Sequence, residues 1–331
     1  MAPRILIFGT GAIGAGYLCI LSRMVPAENI VAVCRSNFDA ASQNGFQMKS
    51  TLWGHVTCKP AVVRSVDEAA ALDSSRPFDY VIVASKAIPS SPSTAQLIRP
   101  AISEETSIVL FQNGIAIEDE YSKLYPDNPL LSTVVYFPAT QTSPAVINHT
   151  ELETLVIGTY PADSPAWHAE AARNLIQLVV DCGATAKFRD DVQPERWSKL
   201  VLNASLNPVC ALSRSRDLQF LQSGDEAQEV MRDLMAEIVA VAQACGYSNL
   251  DQTSVDNGIE RVKSRKSPGV EPSMQADALA GRNMEVDAIL GNLLRLAREK
   301  GVAVPVLRTT YALLNALDGS FTRSRQDSNA L

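Results

Sequence analysis

Histidine is scarce in this 331-residue chain: His55, His149 and His168 are the only three, and none is paired at metal-ligand spacing. A zinc site built on histidine is therefore not expected, and proton chemistry falls to Lys, Tyr, Glu or Asp. The six cysteines, at 19, 34, 58, 182, 210 and 245, form no Cys-x-x-Cys pair. Several lie in apolar stretches, so reduced, buried thiols of a cytoplasmic protein are the simplest account. Basic residues number 29 against 36 acidic ones, a formal net charge of −7. Nucleic-acid binding relies on clustered Lys and Arg. The densest basic stretch, Arg261 to Lys266, runs into Pro268 and Gly269 and reads as a solvated loop. No apolar run approaches the ~18 residues of a membrane span. The first strand begins at Arg4, which leaves no room for a signal peptide. A soluble protein without nucleic-acid or membrane partners is expected. None of the eight tyrosines has a lysine four residues on, which excludes the Tyr-x-x-x-Lys pair of short-chain dehydrogenases. Internal repeats and low-complexity segments are lacking too.

What is present is an ordinary globular balance, 46% hydrophobic and 20% charged. The length exceeds the ~100–200 residues of one domain, so two are expected. Residues 4–8 form a short apolar run ending in glycine, as a buried parallel strand does. A helix over 13–25 and a second strand over 30–34 complete a βαβ unit. Further strands are predicted at 56–63, 80–84, 107–111, 131–137, 154–158 and 185–188, with helices at 66–72 and 167–182. After Asp190 strand signals almost vanish, and helical patterns run over 194–207, 225–245, 274–300 and 305–317. The predicted class is α/β: a Rossmann-type doubly wound sheet over 1–190, then an all-helical domain over 191–320. A loop is expected at 264–272 and a polar, frayed tail over 321–331.

The segment Gly9-Thr10-Gly11-Ala12-Ile13-Gly14 is Gly-x-Gly-x-x-Gly. Its first glycine permits the tight turn, the second lets a pyrophosphate approach the backbone, and the third allows close helix–strand packing. Its place between the first strand and a helix supports dinucleotide binding over an incidental glycine turn. Arg35 stands at the end of the second strand, where NAD-selective folds usually carry an acid. An arginine there suits the 2′-phosphate of NADP, the alternative being a plain surface arginine.

Residues 197–208 read Trp-Ser-Lys-Leu-Val-Leu-Asn-Ala-Ser-Leu-Asn-Pro. Lys199, Asn203 and Asn207 recur every four residues and share one helix face with about 40° of drift per step. Asparagine is a poor helix former, and buried polar groups need partners. A polar stripe aimed into a cleft accounts for them; a partly solvated stripe is the alternative. Downstream, Glu285 opens an apolar helix, and Ser273 stands at a helix entry after Pro272. Taken alone, Glu285 reads as a surface carboxylate.

Together these residues resemble the ketopantoate reductase (2-dehydropantoate 2-reductase) family, part of the 6-phosphogluconate dehydrogenase-like group with helical C-terminal domains. The resemblance covers essentially the whole chain. It rests on the glycine loop, Lys86 after the strand at 80–84, Gln112-Asn113-Gly114, the run at 197–208, Ser273, Glu285, Gly291 and the sequence Gly301 to Pro305. It implies reduction of a small 2-oxo acid with NADPH, 2-dehydropantoate leading, as in pantothenate biosynthesis. Lys199 would be the general acid, and Glu285 would anchor the substrate or the lysine. Asn203 and Asn207 would orient the substrate's polar groups, and Ser273 its carboxylate. Asn113 and Lys86 would line the nicotinamide side, with Gly9 to Gly14 and Arg35 holding the rest of NADP(H). Lys86 is followed by Ala87-Ile88-Pro89, where the family often has a polar residue three after the lysine. Another 2-oxo acid such as 2-oxoisovalerate, or a secondary-metabolite ketone, remains open as substrate. A non-catalytic NADP-binding sensor is the reading of a different kind. The oligomeric state is open, a homodimer included.

Overall fold

The structure is a computed structural model and describes residues 2–150 and 152–329, with side chains described to residue 325. Its contacts divide the chain into two units.

The first unit comprises the chain up to Lys86, Ser90–Gln112 and Ile117–Val192. Its strands are β1 (Ile5–Phe8), β2 (Ile30–Val33), β3 (Phe46–Ser50), β4 (Gly54–Cys58), β5 (Ala61–Val63), β6 (Tyr80–Val83), β7 (Ser107–Leu110), β8 (Leu130–Tyr136), β9 (Ala139–Ser143), β10 (Val146–His149), β11 (Thr154–Thr159) and β12 (Ala186–Phe188). Its helices are α1 (Ala12–Leu21), α2 (Phe38–Asn44), α3 (Val66–Ala71), α4 (Thr94–Leu97), α5 (Asp119–Leu124) and α6 (Ala166–Asp181). The main sheet runs β12-β11-β8-β7-β6-β1-β2-β5. From β5 to β8 all pairings are parallel, with Ile5 level with both Ile30 and Tyr80. This is the doubly wound order whose direction reverses between β1 and β6, where such sheets bind ligands at the carboxyl ends of the strands. Strands β1, β2, β6 and β7 are buried along their whole length, as strands covered on both faces must be.

A second sheet, β4-β3-β10-β9, was not foreseen. The stretch expected as one strand over 56–63 is two, β4 and β5, in different sheets, with Lys59 and Pro60 between them. Proline cannot donate to a ladder, so the run cannot continue through it. Helix α1 packs against β1 and against all four strands of this second sheet. That explains why Gly14 to Leu21 are all buried: a helix covered on every side is apolar all round.

The second unit comprises Ala87–Pro89, Asn113–Ala116 and the chain from Gln193 on. Its helices are α7 (Gln193–Ser213), α8 (Asp217–Leu221), α9 (Asp225–Ala244), α10 (Gln252–Lys263), α11 (Ser273–Leu279), α12 (Asn292–Lys300) and α13 (Pro305–Asn329). Helix α7 is the centre, packed on by α8, α9, α10, α11 and α13. It runs through Pro208, where the sequence pattern ended it. Leu206 to Ala211 are buried, so packing outweighs the one helix bond that proline removes.

Three further expectations change in this unit. The helix predicted over 274–300 is broken between α11 and a π-helical turn at Asp287–Gly291 that leads into α12. The basic stretch at 261–266 is not wholly a solvated loop: Arg261 and Lys263 close α10, and Arg265 pairs with Asp217. Asp217 is fully buried and also accepts from the N–H groups of Leu218 (2.6 Å) and Val270 (2.8 Å). Helix α13 continues to Asn329, across residues expected as a polar tail, while 330 and 331 lie outside the described residues. Its start is fixed by Glu237 of α9, whose carboxylate accepts from the N–H groups of Val306 (3.0 Å) and Leu307 (2.8 Å). Among the described residues no helix is long and apolar enough to cross a membrane.

Candidate active site

In the first unit, Gly9 follows β1 with φ +97°, a conformation that favours glycine. A Cβ there would strike the backbone of Ser85 after β6, and one on Gly14 would strike the Gly9 carbonyl. At Gly11 a Cβ would meet nothing within 4 Å. Two glycines thus lock the turn together and the middle one lines open space, as a diphosphate-accepting loop requires. Helix α1, which carries Ala12, Ile13 and Gly14, has no acidic residue in its first turn to oppose an anion. Thr10 is buried with Oγ1 3.1 Å from the Cys34 Sγ, and the Asn37 amide donates to the Thr10 carbonyl. Asn37 therefore ties the end of β2 to the glycine loop, a role the sequence reading missed. Arg35, two residues past β2, is exposed, as is Lys86 after β6.

The second unit gathers three of the predicted residues. The Lys199 ammonium on α7 donates to Asn113 Oδ1 at 2.9 Å. The Asn113 Nδ2 group points to Glu285 Oε2 at 3.4 Å, and Glu285 Oε1 accepts from the Ala87 backbone N–H at 3.0 Å. The amide orientation is fixed by its neighbours, because an ammonium only donates and a carboxylate only accepts. The result is a chain of alternating sense: carboxylate, amide, ammonium.

The loop that presents Asn113 is clamped. Gly114 has φ +106°, and a Cβ on it would strike the Ala288 carbonyl. That carbonyl lies in the π turn and accepts from the Ile115 N–H at 3.1 Å. The Asn292 amide donates to the Ile115 carbonyl (2.8 Å), and the buried Arg196 guanidinium to the Gly114 carbonyl (2.9 Å). Glu285 stands just before the π turn, where a negative charge is favoured by the helix N-terminus. Such π turns recur at functional sites.

Lys199 is half-buried, and its pKa is lowered to about 8. Burial is the main cause, the positive charge of Arg196 adds to it, and the Glu285 carboxylate opposes both. An ammonium so placed is a better proton donor near neutral pH than an ordinary lysine.

Asn203 is half-buried and Asn207 is 5% exposed, on the same stripe of α7 as Lys199. Ser273 is exposed at the first turn of α11, which packs on α7. Two members of the cluster escaped the sequence reading. Arg196 could have been found, since it lies one turn before Lys199. The Ala87 N–H could not, because a backbone donor leaves no mark in residue type.

Comparison with known proteins follows the same division. Residues 5–162 match the family model described as ketopantoate reductase PanE/ApbA, and residues 191–318 match its C-terminal model. The chain is 30% identical to an uncharacterized protein of Saccharomyces cerevisiae, over 94% of this chain and 92% of that one. It is 28% identical to the 2-dehydropantoate 2-reductase of Mesorhizobium japonicum, over 95% and 97% of the two chains. The crystal structure of 2-dehydropantoate 2-reductase from Methylococcus capsulatus superposes with a TM-score of 0.82 at 32% identity, covering 96% of this chain and 97% of that one. Sheet order, helical second unit and both family models agree, and the chain belongs to the ketopantoate reductase family of oxidoreductases.

Proposed function

We propose that the protein reduces a small 2-oxo acid to the 2-hydroxy acid with NADPH, 2-dehydropantoate being the leading substrate, and that Lys199 is the general acid. One observation carries this reading: a half-buried ammonium, tuned to about 8, aligned by Asn113 and steadied by Glu285.

NADPH, when bound, supplies the hydride. The glycine loop fits its diphosphate because Gly11 faces open space at the start of an uncontested helix N-terminus. Arg35 takes the 2′-phosphate; its exposed position just past β2 supports this. Lys86 lines the nicotinamide side. Lys199 donates a hydrogen bond to the substrate's keto oxygen and stabilises the negative charge that develops there. It then gives its proton to the alkoxide and recovers one from water. Glu285 keeps enough negative charge nearby for Lys199 to stay protonated at neutral pH. Asn203, Asn207 and Ser273 hold the substrate's hydroxyl and carboxylate groups. The first two stand on the lysine's own helix face, at successive turns.

The test is loss of NADPH absorbance with a panel of 2-oxo acids. Turnover with 2-dehydropantoate well above the others is expected. A uniform low rate, or preference for another acid, would reassign the substrate. Tight NADPH binding with no oxidation on any carbonyl would remove the catalytic reading and leave a nucleotide-binding protein.

A further inference from the structure

A buried guanidinium beside a lysine meant to donate protons calls for an explanation. Arg196 is 4% exposed and lies three residues before Lys199 on α7, so the two side chains are neighbours on the helix surface. Like charges at this spacing destabilise a helix, and a buried charge is costly without partners. An arginine kept there needs a compensating role. Its Nη1 donates to the Gly114 carbonyl at 2.9 Å, and Gly114 directly follows the asparagine that receives the Lys199 hydrogen bond.

We infer that Arg196 is a positioning residue of this site, which pins the Asn113–Gly114 loop against α7 and sets a permanent positive charge beside Lys199. This inference rests on the reading of Lys199 as the proton donor. The two functions are separable by chemistry. Pinning needs the planar fork of arginine, whereas the charge needs any cation. The charge is permanent because a guanidinium does not lose its proton in proteins.

Arg196 from its own helix and Glu285 from the segment before the π turn act electrostatically on Lys199. Several carboxylates on the other elements packed against α7 have their own partners: Asp256 of α10 pairs with Arg232 (2.6 Å), and Asp287 of the π turn accepts from the Tyr311 hydroxyl (2.9 Å). Asp277 of α11 pairs with Arg282 (2.9 Å), and Asp217 of α8 with Arg265. Glu237 of α9 holds the first N–H groups of α13, and Asp318 of α13 accepts from the Met284 N–H (2.7 Å). Removing Arg196 takes away one of the two influences that oppose Glu285, burial being the other, and makes Lys199 harder to deprotonate.

The experiment compares the full-length wild type with Arg196→Met and Arg196→Lys. The readout is the rate at which an amine-selective acylating reagent modifies Lys199 as a function of pH, resolved by peptide mass spectrometry. Only the neutral amine reacts, so the midpoint reports the lysine itself and needs no substrate or cofactor. Arg196→Met is expected to label Lys199 about 3–10-fold more slowly at neutral pH, an upward midpoint shift of about half to one unit. Arg196→Lys should keep the wild-type midpoint yet lower kcat, because its ammonium supplies the charge without the fork. An unchanged midpoint in Arg196→Met would overturn the electrostatic role. Wild-type kcat in Arg196→Lys would overturn the pinning role. If Arg196→Met unfolds, Arg196→Gln, which also removes the charge but stays polar, carries the same labelling test. A wild type that reduces no 2-oxo acid would defeat the proposed function but leave the labelling result standing on its own.

Discussion

Lys199 and Asn113 stand 86 positions apart in the chain and are joined by a 2.9 Å hydrogen bond from ammonium to amide oxygen. A hydrogen bond to a charged group contributes about 1.5–3 kcal/mol, and the Asn113 amide is a fixed acceptor that aims this ammonium. Asn113→Ala removes the acceptor and the donor to Glu285 together. At 1.36 kcal/mol per tenfold, kcat is expected to fall about 10–100-fold, with NADPH affinity within a few-fold of wild type. Steady-state kinetics beside a cofactor titration checks both; an unchanged kcat would remove Asn113 from the catalytic alignment.

The Lys199 pKa near 8 makes the pH dependence of the reaction predictable in sign. The acid must be protonated, so kcat should hold at neutral pH and decline as pH rises through about 8. Glu285 raises that pKa, and Glu285→Gln removes its charge. The decline should therefore begin at lower pH in the variant. A pH–kcat profile that stays in place, or moves upward, would contradict the arrangement.

The glycine loop separates folding from binding. A Cβ at Gly14 has the Gly9 carbonyl in its way, whereas one at Gly11 meets nothing. Gly14→Ala is expected to cost about 1–3 kcal/mol of stability, as overpacked sites do. Gly11→Ala should melt like wild type but bind NADPH more weakly, because its methyl occupies the diphosphate's space. Thermal melts and fluorescence titration of NADPH distinguish the two; equal binding by wild type and Gly11→Ala would argue against the loop as the cofactor cradle.

Arg35 is exposed and lies two residues past β2. Arg35→Ala should weaken NADPH about tenfold or more, the scale of one charged hydrogen bond, and leave NADH nearly unaffected. Parallel loss of both cofactors would mean that the arginine does not read the 2′-phosphate.

Much of the fold was legible because parallel strands buried on both faces appear as short continuous apolar runs, such as Ile5–Phe8 and Tyr80–Val83. The second sheet was not, because β3, β4 and β9 are only partly buried and carry polar residues such as Gln47, Thr57 and Gln141. Helix α10 was hidden by low mean hydropathy, its apolar residues being confined to one face by Val255, Ile259 and Val262. The break near residue 280 fell inside an apolar pattern that continues on both sides, and nothing in residue type announces a π turn. At the site, Lys199 stood out on its polar helix face, whereas Asn113 and the role of Glu285 came only from the family resemblance. Arg196 was not singled out, and the Ala87 N–H belongs to the backbone.

The central claim is that Lys199 supplies the proton. Single-turnover reduction of 2-dehydropantoate by NADPH, wild type against Lys199→Ala, tests it most directly. The account predicts a rate about 10²–10⁴-fold lower in the variant, with NADPH still bound at wild-type affinity. A variant that turns over near the wild-type rate would contradict it.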